Sequence, residues 1–147
     1  TGSEKTVFIG SSSGGMAAIL YGELLQPNKV VAFAPQTVLT EAKEKAIGDD
    51  RWPKLMARLR ERLGDSAYLD LQNLAPFSSV IDIHYARSCE IDRRHAERVT
   101  GSHVRYFPHA DAEGHFIALH LRDKGALTRI IQRELGGTPS GQEQTEQ

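Results

Sequence analysis

A single cysteine, Cys89, stands among the 147 residues, so no disulfide can close within the chain. Small secreted folds lean on such bridges; a lone thiol points instead to a reducing compartment, the cytoplasm. Long apolar runs are missing too. Nothing approaches the roughly 18 residues that a membrane helix needs, and no membrane partner is expected. The opening segment TGSEKTVFIG has no basic stretch followed by an apolar one, so no secretory signal is visible. Charge of one sign is not in excess either. Eighteen basic residues face nineteen acidic ones, a formal charge of -1, and no broad positive field exists to hold a nucleic acid.

What is present is an ordinary globular composition, 39% hydrophobic and 25% charged, at the length of one domain. Thr6–Ile9 (TVFI) is a short β-rich run that enters GSSSGG, after which MAAILYGELL has helical spacing and stops before Pro27. Strand-like runs recur at Val30–Phe33, Val80–Tyr85 and His103–Phe107, and helical patterns occupy Ile91–Val99 and Asp123–Leu135. Leu127, Ile130, Ile131 and Leu135 form the apolar face of the last. Such alternation predicts an α/β fold: about four mostly parallel strands, joined by right-handed crossovers and flanked by helices on both faces. Residues 36–76 interrupt the pattern as a charged helical excursion, expected over an edge of the sheet. One domain is expected over 1–135, and GGTPSGQEQTEQ, with no apolar anchor, predicts a disordered tail over 136–147. The chain is in its first strand by Thr6, almost without lead-in, which predicts a piece cut from a longer protein.

Gly10-Ser11-Ser12-Ser13-Gly14 matches G-x-S-x-G at the junction of a strand and a helix. There the flanking glycines permit a tight turn that lifts the Ser12 hydroxyl above the carboxyl edge of the sheet. The helix N-terminus and the backbone N–H of Ser13 would favour negative charge developing on a substrate carbonyl. The plainer readings are a linking turn or a phosphate-binding loop. No Lys-Ser or Lys-Thr follows the glycines and G-x-G-x-x-G is absent, which disfavours nucleotide loops.

A serine hydroxyl needs a base to take its proton. Among six histidines, His115 in DAEGHF follows the last strand and a loop ending in Gly114, where an imidazole would meet the carboxyl edge. His109 shares that loop and is the rival. His84 inside a strand, His103 at a strand start, and His95 and His120 in helical stretches read as structural. The acid that orients the base should follow the third strand. Asp82 falls within it; Glu90 and Asp92 lie just beyond, and Asp92 is the preferred acid, with helix N-capping as its other reading. His109, Asp111, Glu113 and His115 alternate along one loop, but no second cluster completes a metal site, and neither metal nor cofactor is expected.

The order Ser12, Asp92, His115, with the strand–helix alternation around it, resembles the α/β-hydrolase superfamily over about residues 6–135. FAPQTVL and DRRHAERV look similar to a bacterial, poorly characterised subgroup of it. The resemblance implies that the four strands match the fifth to eighth of an eight-stranded sheet, a partial fold. It also implies that the second oxyanion donor belongs to a loop after an earlier strand, and that the acid sits nearer Ser88 or Cys89 than Asp92. The preceding half, or a second copy of this chain, would then supply what is missing. The expected function is hydrolysis of an ester or other acyl substrate, a small molecule, through Ser12, Asp92 and His115. The rivals are a non-catalytic binding or accessory module on the same fold and an inactive fragment of a longer enzyme.

Overall fold

The computed structural model describes residues 4–136; the tail expected over 136–147 lies, apart from Gly136, outside them. Four strands form one sheet: β1 Val7–Ser11, β2 Lys29–Phe33, β3 Ile81–Ala86 and β4 Val104–His109. All are parallel and adjacent in chain order, with Val7 opposite Lys29, Val30 opposite Ile81, and Ile81 opposite Val104. The two central strands, KVVAF and IDIHYA, are buried at every position. That is the pattern of β-branched strands covered on both faces. Three of the four strands end one or two residues later than the sequence predicts, so β1 runs into the G-x-S-x-G motif itself. Its outer side carries no further strand among the described residues, and Ile9 is 40% exposed there.

Successive right-handed crossovers in one direction place their helices on one face. Helices α1 Ser13–Leu25 and α4 Glu90–Ala96 occupy that face, where Ile19, Ala96 and Val99 pack with Val30, Ala32, Ile81 and Ile83. The first ends at Gln26, whose left-handed backbone (φ 50) turns the chain before Pro27. After β4 the chain reverses. Helices α5 Ile117–Asp123 and α6 Ala126–Glu134 cover the other face through Ile117, Leu121, Leu127 and Ile130 against Val31 and Phe33. The helix expected from Asp123 starts at Ala126 because Gly125, at φ 69, separates it from the turn before. Leu135, expected on its apolar face, lies beyond its end and is exposed.

The charged excursion holds α2 Glu41–Ile47, α3 Pro53–Leu63, with Pro53 in its first turn, and two short 3-10 turns, Ala67–Leu69 and Leu71–Leu74. It reaches the carboxyl edge of the sheet, where Trp52 and Leu55 stand beside Ser12 and His115. Leu39, Met56, Leu69 and Leu71 enter the same core cluster as Val30 and Ile81, so its apolar stripe completes the α1 face. At the amino end of the sheet, Lys29 Nζ reaches Asp82 at 2.6 Å and Glu134 at 2.7 Å, tying α6 to β2 and β3. No helix among the described residues is long and apolar enough to cross a membrane.

Candidate active site

Ser12 sits between β1 and α1 with φ 55 and ψ -119, a conformation that ordinary L-residues avoid. Three backbone hydrogen bonds hold it: Ser12 N–H donates to Phe33 O at 2.9 Å, and Ser12 O accepts from Met16 and Gln36 N–H at 3.1 Å each. The two glycines of the motif differ in what they allow. A Cβ on Gly10 would lie 2.0 Å from Gly14 O, so strand and helix can cross this closely only at a glycine. A Cβ on Gly14 would meet nothing within 4 Å; the second close approach is that of Gly15, 3.0 Å from Pro35 Cβ. The sequence reading of both flanking glycines therefore holds for Gly10 and not for Gly14.

The strain points Ser12 Oγ at His115 Nε2, 2.8 Å away, and His115 Nδ1 lies 2.8 Å from Asp92 Oδ1. Residues 12, 92 and 115 thus meet in one hydrogen-bonded line at the carboxyl ends of β1, β3 and β4. His115 is held by the β4–α5 loop, with Trp52 and Phe116 ring centroids at 6.2 and 5.8 Å. Asp92 is fully buried in the first turn of α4. Its carboxylate accepts no backbone N–H from a described residue, so helix capping is not what it does there. Ser13, first in α1, lines the cavity beside Ser12, and its N–H has no backbone partner among the described residues.

Arg51, which the sequence does not single out, completes the cluster from the loop between α2 and α3. Its Nη1 donates to Asp92 Oδ1 at 2.7 Å, and its other nitrogens hold Asp49 at 2.9 Å. Burial raises the cost of charging Asp92, but the hydrogen bonds from His115 and Arg51 outweigh it and hold the carboxyl below its usual range. Asp49 is lowered against burial in the same way, by Arg51 and then by His95. Arg51 Nη1 also lies 3.1 Å from His115 Nδ1. A guanidinium has no lone pair to offer, so a proton on Nδ1 faces Asp92, the shorter and charge-matched contact, and the arginine is then a close neighbour only. Only a run of charges, DDRWP, marks Arg51 in the sequence, and charge runs usually face solvent.

The other candidates fall elsewhere. His109 Nε2 meets His84 Nδ1 at 3.0 Å, and His84 stacks between Phe33 and Phe107. His95, fully buried, bonds Thr37 Oγ1 at 3.0 Å and Asp49 at 2.8 Å. Glu90 is exposed and pairs with Arg93 and Arg94, and Asp82 pairs with Lys29 and Arg105. Asp111 pairs with Lys124 and His120. Among the described residues no three His, Cys, Asp or Glu side chains converge as a metal-holding group.

One cavity opens at the serine, and a second shares part of its wall. The first, of about 270 Å³, opens at Ser12 and His115 and is walled by Gln36, Trp52, Leu55 and Phe116. The other, of about 300 Å³, shares Gln36 and Trp52 and runs beneath α2 and α3 past Asp49, Met56 and the pairs Glu41–Lys45 and Glu44–Arg60.

Among solved structures the chain is similar to a monoacylglycerol lipase of Paleococcus ferrophilus at 16% identity, over 92% of this chain and 70% of that one, with a TM-score of 0.50. The chain has the α/β-hydrolase fold. A likeness to acetyl xylan esterase 1 of a Thermoanaerobacterium species is of 15% identity over 85% of this chain and 45% of that one, with a TM-score of 0.48. No family model and no curated protein matches the sequence. Within this α/β-hydrolase sheet, Ser12 follows β1, Asp92 follows β3 and His115 follows β4, each within a few residues of its strand's carboxyl end.

Proposed function

We propose that the chain hydrolyses acyl esters, with Ser12 as nucleophile. In this reading His115 Nε2 takes the Ser12 proton while Oγ bonds to the substrate carbonyl carbon, and the carbonyl oxygen gains negative charge. Asp92 orients the imidazole and balances its charge, and the N–H of Ser13 faces the oxyanion. The proton then passes from His115 to the departing alkoxy oxygen as the carbonyl carbon–oxygen bond breaks. Water, deprotonated by His115, releases the acid and restores Ser12.

The observation that carries this reading is the 2.8 Å approach of Ser12 Oγ to His115 Nε2 from a backbone strained at φ 55. A linking turn gains nothing from such strain, whereas a nucleophile requires it. Asp92 strengthens the reading, because a fully buried carboxylate on the far nitrogen of the imidazole fixes the tautomer that accepts from serine.

Hydrolysis of p-nitrophenyl butyrate by the parent chain, Ser12→Ala and His115→Ala tests it, together with labelling by a fluorophosphonate. Turnover and labelling in the parent, both lost in Ser12→Ala, are expected. Labelling that persists in Ser12→Ala removes Ser12 from the role. A folded parent that neither turns over nor labels returns the chain to the accessory-module reading.

A further inference from the structure

Gln36 is 2% exposed, and its main chain is pinned to the elbow: its N–H donates to Ser12 O at 3.1 Å. Its carboxamide, by contrast, hydrogen-bonds no described residue and is not among the sealed orphan atoms of the interior. A buried carboxamide that is neither bonded nor sealed faces open volume. That volume is the cavity at Ser12 together with its neighbour, whose common wall Gln36 forms with Trp52. Leaving such a group unpaired against an apolar ligand carries a desolvation penalty, so the site selects a ligand that bonds it.

The two cavities differ in chemistry. Beside Ser12 the walls are the apolar faces of Trp52, Leu55 and Phe116, which suit the acyl chain of an ester. Past Gln36 charged side chains join the apolar Trp52, Pro53 and Met56 in the lining, and most of those charges are already matched: Glu41 with Lys45, Glu44 with Arg60, Asp49 with Arg51 and His95. Asp50 alone of these acids has no ion-pair partner among the described residues, and it is exposed. Paired ions offer hydrogen bonds without a net charge to attract an ionic group. A neutral carboxamide that donates and accepts fits a partner that does both, which is a hydroxyl.

Resting on the assignment of Ser12 as nucleophile, we propose that Gln36 is a specificity-determining residue that hydrogen-bonds a hydroxyl of the leaving alcohol. The preferred substrates are then esters of hydroxyl-bearing alcohols. The acyl chain lies against Leu55 and Phe116, and the alcohol extends past Gln36 toward the second cavity, where charged side chains join the lining.

Propyl butyrate and 2-hydroxyethyl butyrate test this, since they differ by one methyl-for-hydroxyl exchange at nearly constant size. The parent is expected to favour the hydroxylated ester about tenfold or more in kcat/KM. Gln36→Met, which keeps the side-chain length, should erase that preference by lowering kcat/KM for the hydroxylated ester more than for propyl butyrate. Equal kcat/KM for the two esters in the parent overturns the proposal whatever the variant does. An equal loss on both esters in Gln36→Met reduces Gln36 to a packing role and also overturns it. The single tryptophan, Trp52, walls both cavities and reports binding without turnover. Titrating Ser12→Ala with the two esters by fluorescence therefore separates the two assignments. Selective binding of the hydroxylated ester, lost on adding Gln36→Met, upholds Gln36 even where the parent hydrolyses neither ester and Ser12 fails as nucleophile. Equal binding of both esters by Ser12→Ala counts against Gln36 alone.

Discussion

His115 and Arg51 share one oxygen of Asp92. Asp92 Oδ1 takes both the imidazole and the guanidinium, while Oδ2 has no partner among the described residues. In the proposed reaction the two contacts do different things. Asp92→Asn should leave the fold intact and lower kcat by about 10,000-fold, because an amide no longer enforces the tautomer. Arg51→Met removes the group that fixes where Asp92 points, and a loosened acid should lower kcat by about tenfold to a hundredfold with KM little changed. Steady-state rates on p-nitrophenyl butyrate measure both; a rise confined to KM in Arg51→Met would assign the arginine to binding instead. Ser12 and His115 are legible in the sequence because each follows a short strand within a glycine-containing segment, Ser12 between Gly10 and Gly14 and His115 next to Gly114. Asp92 is legible only as the third residue of a helix, a few positions past where the superfamily resemblance places its acid. Arg51 and Gln36 are not legible. Their contacts span 41 residues to Asp92 and 24 to Ser12, and nothing local sets them apart from a solvated charged stretch and a strand-exit loop.

At the scale of the element, the β1–α1 elbow is where local propensity yields to tertiary fit. The pattern G-x-S-x-G names two glycines, yet only the first is demanded by contact. Gly10→Ala should destabilise by about 3 kcal/mol, because Gly14 O at 2.0 Å is backbone and cannot turn aside. Gly14→Ala, in open space within α1, should be neutral or stabilising by up to about 1 kcal/mol. Urea unfolding of the two variants distinguishes them, and equal midpoints would mean that strand and helix can part at little cost. The strands themselves are readable because β2 holds the apolar run VVAF and β3 alternates Ile81, Ile83 and Tyr85 with polar residues. The packing of α3 was not: its stripe of Met56 and partly buried Leu59 is sparse enough to look like a surface helix, and its contact with the sheet is made across more than twenty residues of chain.

Over the whole molecule, the two sheet faces carry different risks with pH. The face under α5 and α6 encloses His84, which burial, and next the neighbouring His109, push down to about 4. Asp82 opposes that shift, and Arg133 and Lys29 add to it. An unfolded histidine titrates near 6.5, so between about 6.5 and 4 the unfolded chain binds more protons than the folded one. Stability from neutral His84 is therefore full above about 6.5 and is lost as pH falls through about 4. His84→Phe, which keeps the stack with Phe33 and Phe107, should flatten the fall of the urea midpoint across that window. Parallel curves for parent and variant would show that other groups set the acid limit.

Arg51 is carried by the loop between α2 and α3, whereas its partner Asp92 and the histidine belong to the sheet-borne frame. The excursion is held to that frame by Met56 and Leu59 and by the pairs Arg51–Asp92 and His95–Asp49, contacts that any local opening of residues 41–63 would break while the sheet stays closed. In the proposed reaction, competence would then follow the docked population. Under that reading, a preparation whose spectrum reports native structure would turn over ester in proportion to the molecules in which residues 41–63 are docked, and an undocked fraction would weaken apparent affinity by that same factor. A substrate that bridges Leu55 and Gln36 binds only the docked form, and so draws the ensemble toward it.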